Sequence, residues 1–303
     1  MTAPAEQAVE ATLPAPRVPL VGARVARDLV ALCKPRITLM VTATGVAGAL
    51  VAQQRPSLGG WLGATLGTAA IVAGANTLNM WLERESDARM ERTRDRPLAA
   101  GRLSARTGLL FGLGLSLASV PLLLAANGLV AVLGLVALVT YVALYTPMKR
   151  FTSWSLPVGA IAGAMPPAMG YAAATGTLDA RGAFLFAVLF AWQLPHFMAI
   201  SIVRADEYAA AGLSVGAAGA RLRVNKLAMV VTAVLLLLTT LAAPLVGLGG
   251  RGSQIVSAIT GLAMVALSVR AARAGAGRSE ARDAFAFTMA HLAIVLTALG
   301  VDR

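Results

Sequence analysis

The sequence predicts an all-helical membrane protein that crosses the bilayer nine times as one bundle. Hydrophobic residues make up 57% of the 303 positions and charged residues only 13%, which is too apolar for a soluble protein of this length. Charge-free stretches as long as a membrane-spanning helix recur along the chain, and most basic residues fall between alternate stretches. These observations exclude a soluble nucleotide-binding fold, a secreted disulfide scaffold and an outer-membrane barrel, whose strands alternate over only about ten residues.

Eight charge-free stretches define the predicted spans. They are residues 37–54, 56–82, 107–148, 151–178, 182–203, 227–250, 252–269 and 284–301. The third stretch is long enough to cross twice and carries the turn dipeptide Asn127-Gly128 near its middle, so it is divided there. The predicted count is therefore nine spans.

The basic residues predict the orientation of these spans. With the amino terminus inside, 22 of the 26 lysines and arginines fall in cytoplasmic segments, as the positive-inside rule requires. The four on the outer face are Arg55, Arg181, Arg251 and Arg303. The net charge of +12 therefore indicates membrane topology, not nucleic-acid binding, and the carboxyl terminus is predicted on the outer side.

Residues 1–33 are predicted to form a disordered cytoplasmic tail before a single domain of residues 34–303. The tail is rich in Ala and Pro, contains Glu6, Glu10 and Asp28, and lacks the apolar core and small-residue cleavage site of a signal peptide. The single cysteine, Cys33, excludes a disulfide within this sequence and is interpreted as a small residue entering the first span.

Four polar side chains near the end of the second span indicate a metal and diphosphate site. They are Asn76, Asn79, Glu83 and Asp87. At about 100° per helical residue they form one stripe, and the two carboxylates are about 6 Å apart along the axis, which suits Mg²⁺ ions bridging a diphosphate. A helix end entering water could produce an acidic pair by accident, but amides deeper in the bilayer are costly and favour a functional stripe.

Basic residues follow this stripe directly. Arg92 and Arg96 are interpreted as diphosphate ligands, because a planar guanidinium offers paired donors to phosphate oxygens. The alternative, an ordinary positive-inside loop, is preferred for four neighbouring arginines. These are Arg84, Arg89, Arg102 and Arg106.

The sixth predicted span carries one of the two histidines. Trp192, His196 and Glu207 fall on one helical face if Pro195 only kinks the helix, and His196 then lies about 16 Å deeper than Glu207. An ionisable group at that depth indicates a functional site, with a neutral histidine bonded to a backbone carbonyl as the alternative. His291, in the ninth span, is interpreted as structural.

These residues resemble a known family. The run from Asn76 to Leu98 is similar to the first aspartate-rich motif of the protoheme IX farnesyltransferases, or haem O synthases, of the intramembrane aromatic prenyltransferase superfamily. Further matches cover nearly the whole chain. They are Lys34-Pro35-Arg36-Ile37-Thr38, Tyr145-Thr146 with Lys149-Arg150, Gly163-Ala164-Met165-Pro166-Pro167, Trp192-Gln193-x-Pro195-His196-Phe197, and Asp302. The segments beginning at Arg92 and Trp192 are specific to the haem branch.

The resemblance implies a helical bundle around a central cavity open to the membrane, in the inner membrane of a bacterium. Farnesyl diphosphate would ionise with Mg²⁺ as the cofactor, a vinyl group of haem b would attack carbon 1 of the allylic cation, and water would quench the new cation to give haem O. A haem A synthase or a haem-copper oxidase assembly would be the downstream partner.

The resemblance also implies residue roles. The expected metal ligands, which are also the expected catalytic residues, are Asn79, Glu83, Asp87, Asp206 and Glu207. The expected diphosphate ligands are Arg92, Arg96, Lys149 and Arg150, although part of this set could instead hold the haem propionates. His196 and Trp192 are expected at the haem, with His196 as a candidate axial ligand to iron. The expected supporting residues are Asn76, Tyr145 and Tyr208.

Three other functions stay open at the level of sequence. A prenyltransferase with another acceptor, such as a quinone precursor or a different tetrapyrrole, would keep the acidic motifs without needing His196. A transporter would place charges near the bilayer midplane and often show inverted repeats, and the sequence shows neither. A haem-binding chaperone would need histidines but no carboxylate stripe.

Overall fold

A computed structural model describes residues 21–52, 54, 56–210 and 220–302. Within these ranges every regular element is helical, which confirms the predicted all-helical class. The helices are α1 (Val21–Leu32), α2 (Pro35–Val51), α3 (Leu58–Asp87), α4 (Ala105–Ala126), α5 (Gly128–Val139), a π-helical turn (Thr140–Tyr145), α6 (Thr146–Met148), α7 (Ser155–Thr175), α8 (Ala180–Val203), α9 (Ala205–Ala210), α10 (Ala220–Leu241), a 3₁₀ turn (Ala243–Val246), α11 (Arg251–Ala272) and α12 (Arg278–Val301).

Seven helical segments in the described ranges are long and apolar enough to cross a membrane. They are Leu58–Asp87, Ala105–Ala126, Gly128–Met148, Ala180–Val203, Leu222–Leu241, Arg251–Ala272 and Arg278–Val301. An eighth crossing results if the bent pair Gly22–Leu32 and Pro35–Val51, with 44° between its halves, is one span. The chain is therefore a multi-pass membrane protein. The predicted count of nine is not confirmed, because α7, a helix rich in Ala, Gly and Pro, does not belong to this set.

The predicted division at Asn127 is confirmed. α4 ends at Ala126 and α5 begins at Gly128, with extended backbone at Asn127 between them. The Asn127 side chain accepts a hydrogen bond from Val130 N over 2.9 Å and donates one to Ala172 O over 2.8 Å. One side chain thus caps α5 and joins the turn to α7.

Two apolar clusters hold the bundle together. α3, α4, α5 and α7 share a cluster that contains Ile71, Leu123 and Met169, while Leu189, Met229 and Met264 belong to a second cluster built by α8, α10, α11 and α12. α7 also packs on α8, so it lies between the two halves of the bundle.

α2 and α7 approach each other closely through glycines. A Cβ atom at Gly170 would lie 1.7 Å from the Gly45 carbonyl oxygen, and one at Gly48 would lie 2.0 Å from the Pro167 carbonyl oxygen. Only glycine permits this backbone contact, which is the way small residues join helices in membranes.

The helix α1 corrects part of the predicted disordered tail, because residues 21–32 are helical. Leu29 and Leu32 pack with Met80 of α3, and Asp28 forms an ion pair with Arg102 over 3.1 Å. The residues that contact α1 lie in distant segments of the chain, so the local composition of residues 21–32 did not indicate a helix. Residues 1–20 of the predicted tail lie outside the described residues, as do Arg55, Arg303 and residues 211–219.

The glycine contact between α2 and α7 predicts a position-specific loss of stability. Gly170→Ala should lower the free energy of unfolding by about 1–3 kcal/mol, since the added methyl group meets a fixed carbonyl oxygen. Gly114→Ala in α4 is the matched control, because nothing lies within 4 Å of its Cβ position. Thermal unfolding in detergent measures both, and equal melting temperatures for the two variants would contradict the close contact.

Candidate active site

The predicted polar stripe lies on one unbroken helix. α3 continues beyond the charge-free stretch to Asp87, so it carries all four stripe residues. Asn76, Asn79 and Asp87 are at most 3% exposed, and the Glu83 side chain is 12% exposed. The stripe therefore faces the interior of the bundle, whereas an ordinary amphipathic helix end would direct these groups into water.

Hydrogen bonds to other segments orient both amides. Lys34 Nζ donates to Asn79 Oδ1 over 3.0 Å, and Asn79 Nδ2 donates to Thr146 Oγ1 over 3.1 Å. Asn76 Nδ2 donates to Thr38 Oγ1 over 3.4 Å. The sequence analysis assigned no role to Lys34, Thr38 or Thr146. The only signal for them was their position in segments that resemble the family.

Lys34 has an unusual backbone conformation. Its φ of 46° and ψ of 65° are left-handed, and it is the one non-glycine residue with positive φ in the described part of the chain. Such a conformation costs on the order of 1–3 kcal/mol and persists where surrounding contacts impose it. Here the strained residue directly precedes α2, and its ammonium group donates a hydrogen bond to Asn79.

A π-helical turn shapes the opposite wall of the site. Thr140–Tyr145 is π-helical, a rare conformation that often occurs at functional sites. Thr146 Oγ1 donates to the Tyr141 carbonyl oxygen over 2.8 Å, so the same hydroxyl oxygen can accept from Asn79. The Lys149 ammonium lies 4.6 Å from the centre of the Tyr145 ring, within cation–π range.

Both carboxylates of the stripe are paired with predicted diphosphate ligands. Arg96 Nη1 lies 2.7 Å from Asp87 Oδ2, and Lys149 forms an ion pair with Glu83. The second oxygen of Asp87, Oδ1, is buried and has no hydrogen-bond partner among the described residues. The site therefore contains a buried carboxylate oxygen with unused capacity to bind a cation.

Arg92 connects the two acidic motifs. Its Nε lies 3.2 Å from Glu207 Oε2, and Glu207 also pairs with Arg204. Burial by itself raises the pKa of Glu207, but the hydrogen bonds from Arg204 and Arg92 outweigh it and hold that pKa below its ordinary value. Asp206 is 79% exposed and pairs with Arg278 of α12. The structure thus brings Glu207, and not Asp206, to the first motif.

The remaining predicted ligands lie at the edge of this cluster. Arg150 Nη2 donates to the Leu82 carbonyl oxygen over 3.0 Å, which places its guanidinium beside α3. Tyr208 follows Glu207 in the short helix α9 and is partly exposed. Among the described residues, no three His, Cys, Asp or Glu side chains form a preformed metal cage.

An apolar cavity of about 100 Å³ lies beneath the stripe. Asn76 and Tyr141 belong to its wall, and apolar side chains of α2, α3, α5 and α7 complete it. Its other lining residues are Ile37, Val41, Thr68, Ile71, Val72, Ala75, Ala137, Leu138, Ala162, Gly163, Pro166 and Met169. Through Asn76, the polar stripe therefore extends from the ion-paired carboxylates to the wall of an apolar space.

His196 belongs to α8, packs against α12 and lies outside this cavity. Its Nδ1 atom is 2.8 Å from Thr288 Oγ1, and its ring centre is 4.7 Å from the ring centres of both Trp192 and Phe285. Trp192 Nε1 donates to the Thr288 carbonyl oxygen over 2.6 Å. The structure brings His196 and Trp192 together, as predicted, but gives the cavity no lining residue from α8.

The predicted shared face of His196 and Glu207 is wrong. α8 continues through Pro195 but ends at Val203, and Glu207 belongs to the separate helix α9. Arg204, between the two helices, has φ −107° and ψ 16°, and it pairs with Glu207. The break turns the second acidic motif toward Arg92, so a helical wheel drawn through residue 204 does not apply.

Comparison with known sequences matches nearly the whole chain. The model of the UbiA prenyltransferase family matches residues 39–294. The chain is 43% identical over 278 residues to a protoheme IX farnesyltransferase of Anaeromyxobacter dehalogenans, covering 91% of this chain and 94% of the relative. It is 46% identical over 238 residues to that of Sorangium cellulosum, covering 78% and 85%.

Solved structures share the fold. A digeranylgeranylglyceryl phosphate synthase superposes with a TM-score of 0.77 at 14% identity, covering 92% of this chain and 98% of its own. A UbiA homologue from Archaeoglobus fulgidus, bound to GPP and Mg²⁺, superposes with a TM-score of 0.63 at 15% identity, covering 93% and 100%. Together with the sequence matches, these findings show that the chain belongs to the UbiA prenyltransferase family, within the group of the protoheme IX farnesyltransferases.

Proposed function

We propose that this prenyltransferase transfers the farnesyl group of farnesyl diphosphate to a vinyl group of haem b, with addition of water, to give haem O and diphosphate. The observation that carries the proposal is the cluster of ion-paired carboxylates and cations at the end of an apolar cavity. A prenyl diphosphate has this same division into a charged head and an apolar tail. The names of the relatives support haem b as the acceptor.

The carboxylates fit Mg²⁺ bound through the diphosphate. Asn79, Glu83 and Asp87 would hold one ion, and Glu207, with Asp206 beside it in sequence, the other. Mg²⁺ commonly uses one or two carboxylates together with substrate phosphates, so a complete protein cage is not required. Asp87 Oδ1, which lacks a hydrogen-bond partner within the described part of the chain, supports this assignment. Bound Mg²⁺ would neutralise charge on the leaving diphosphate.

The basic side chains would bind the diphosphate oxygens. Arg92, Arg96 and Lys149 each pair with a site carboxylate, which supports a role for them at the proposed diphosphate site. Guanidinium groups offer two parallel donors to a phosphate, which a lysine does not. Arg150 would supply a further cation. Part of this basic set would bind the haem propionates in place of the diphosphate.

The cavity would hold the reacting end of the farnesyl chain. Its apolar wall excludes water while the carbon–oxygen bond of the donor breaks and the electron pair leaves with the diphosphate. Tyr141 and Tyr145 lie 5.2 Å apart between ring centres at the charged end, where their faces would favour an allylic cation. The vinyl π electrons then form the new carbon–carbon bond, and water adds to the resulting cation and releases a proton.

His196 is the proposed axial ligand of the acceptor iron. Its imidazole lies among the aromatic rings of Trp192, Phe197 and Phe285, an apolar surrounding that would suit a porphyrin. A quinone precursor would need no such ligand. The second candidate function is transfer to another acceptor, which would be such a quinone precursor or a different tetrapyrrole.

We also propose nine crossings for the domain of residues 34–303. α2 alone would form the first crossing, and α7, with 21 residues packed between the two halves of the bundle, would form the fifth. The distribution of basic residues supports a cytoplasmic amino terminus in a bacterial inner membrane. Delivery of product to a haem A synthase or a haem-copper oxidase assembly belongs to the same proposal.

The direct test is product formation in membranes that contain the protein. Haem b, farnesyl diphosphate and Mg²⁺ should yield a haem heavier by one farnesyl group and one water, as measured by mass spectrometry. Removal of Mg²⁺ with a chelator should abolish product formation. Prenylation of a quinone precursor without any prenylated haem would contradict the proposal and support the second candidate.

The stripe predicts that two carboxylates are indispensable. Glu83→Ala and Asp87→Ala should each reduce turnover at least 100-fold (about 2.7 kcal/mol or more) because the metal loses an anionic ligand. Glu85→Ala is the matched control, since this neighbouring glutamate is 74% exposed and pairs with Arg84, outside the site. Turnover and the amount of membrane-inserted protein are measured together, and retained turnover in Asp87→Ala would refute the diphosphate site.

The ion pairs predict that arginine geometry matters. Arg92→Lys and Arg96→Lys should raise the KM for farnesyl diphosphate about tenfold, because lysine lacks the planar pair of donors. Arg84→Lys should leave the KM unchanged, since that side chain packs on Trp81 and bonds to its carbonyl oxygen. Wild-type KM values in both site variants would show that these arginines serve topology alone.

A further inference from the structure

One buried residue of α12 contacts both side chains assigned to the haem. Thr288 is fully buried, its hydroxyl lies 2.8 Å from His196 Nδ1, and its carbonyl oxygen accepts from Trp192 Nε1 over 2.6 Å. The sequence analysis gave Thr288 no role, because 92 residues separate it from His196. A single turn of α12 thus holds two aromatic side chains of α8.

The hydrogen bonds of Thr288 determine which nitrogen of His196 carries the proton. The hydroxyl of Thr288 also contacts the Phe285 carbonyl oxygen over 2.6 Å, and a carbonyl oxygen only accepts. The single hydroxyl proton is therefore committed to Phe285. The hydroxyl oxygen must accept from His196, so in the neutral ring the proton is on Nδ1 and the lone pair is on Nε2.

The rings around His196 fix its plane. The Trp192 ring is inclined by 24° and the Phe285 ring by 31° to the imidazole, each with its centre 4.7 Å away. In the described part of the chain, the hydrogen bond of His196 is the one at Nδ1. Nε2 is the atom with which a neutral imidazole in this tautomer can bind a metal ion.

We propose that Thr288 is a positioning residue that holds His196 in the Nδ1–H tautomer, so that Nε2 can ligate the iron of the acceptor haem. This inference rests on the proposed function. Histidines that bind metals almost always donate their other N–H to an oxygen, which sets the ring orientation and raises the basicity of the ligand. Thr288 Oγ1 is that oxygen here.

The second histidine of the sequence, His291 on α12, provides a contrast. His291 is 1% exposed, and neither of its nitrogens has a hydrogen-bond partner among the described residues. Within the described ranges, no aromatic ring stacks on the His291 imidazole, whereas two rings flank that of His196. Burial of a histidine in the bundle is therefore not enough to produce the arrangement seen at His196.

The test compares variants of Thr288 that remove or keep its hydroxyl group. Purified full-length protein is titrated with ferric haem b, and binding and ligation are followed by the Soret absorption and by electron paramagnetic resonance. Thr288→Val, which keeps the shape but removes the acceptor, should weaken haem binding by about 10- to 100-fold and change the ligation spectrum. Thr288→Ser should restore both, because it keeps the hydroxyl.

Two controls separate positioning from general damage. Thr297→Val removes an exposed hydroxyl from the same helix and should leave the haem spectrum unchanged. Binding of farnesyl diphosphate with Mg²⁺ should be the same in wild type, Thr288→Val and Thr288→Ser, which shows that the bundle is intact.

The outcomes distinguish the inference from the proposed function. Loss of the ligation spectrum in His196→Ala but not in Thr288→Val would refute the role of Thr288 alone. An unchanged spectrum in His196→Ala would refute ligation and, with it, the role of Thr288. Formation of the farnesylated haem is measured separately, so failure of the spectral test does not depend on failure of the transfer reaction.

Discussion

Neutralisation of buried charge at the end of α3 is the constraint on which the site depends. The Asp87 side chain is 1% exposed and the Glu83 side chain 12%, and removal of one partner from such a buried pair costs about 3–5 kcal/mol. Arg96 comes from the loop after α3, and Lys149 follows the helix that ends at Met148. Electrostatic pairing therefore joins α3 to the loop that follows it and to the segment after Met148.

The same pairing prepares the site for a charged substrate. In this structure the carboxylates hold protein cations, and the Asn79 amide holds Lys34. A diphosphate that arrives with Mg²⁺ brings anions for the cations and a cation for the carboxylates, so the partners can exchange without leaving a buried charge uncompensated. Irregular backbone occurs at two places in this site, the strained Lys34 and the π-helical turn at Thr140–Tyr145. Both direct side chains toward the stripe in orientations that a regular helix would not give.

The charged cluster and the proposed haem ligand lie in different halves of the bundle. The charged cluster and the apolar cavity belong to α2, α3, α5 and α7 with the π-helical turn, whereas the imidazole and its aromatic neighbours belong to α8 and α12. α7 packs against both halves, and Gly163, in the cavity wall, lies directly against the Gln193 side chain of α8. A small residue at this point lets α7 and α8 approach each other closely.

Local periodicity in the sequence determined the polar stripe, the helical spans and the division at Asn127, because each depends on residues within a few turns of one another. The helix α1, the break at Arg204 and the partners of the stripe depend on tertiary structure. Lys34 meets Asn79 across 45 residues, and Thr146 meets it across 67. Such contacts follow from how helices pack, and no spacing along a single helix encodes them. The sequence therefore identified the residues that carry charge, while the tertiary structure decided which of them meet, since only packing can bring a desolvated carboxylate and its compensating cation together.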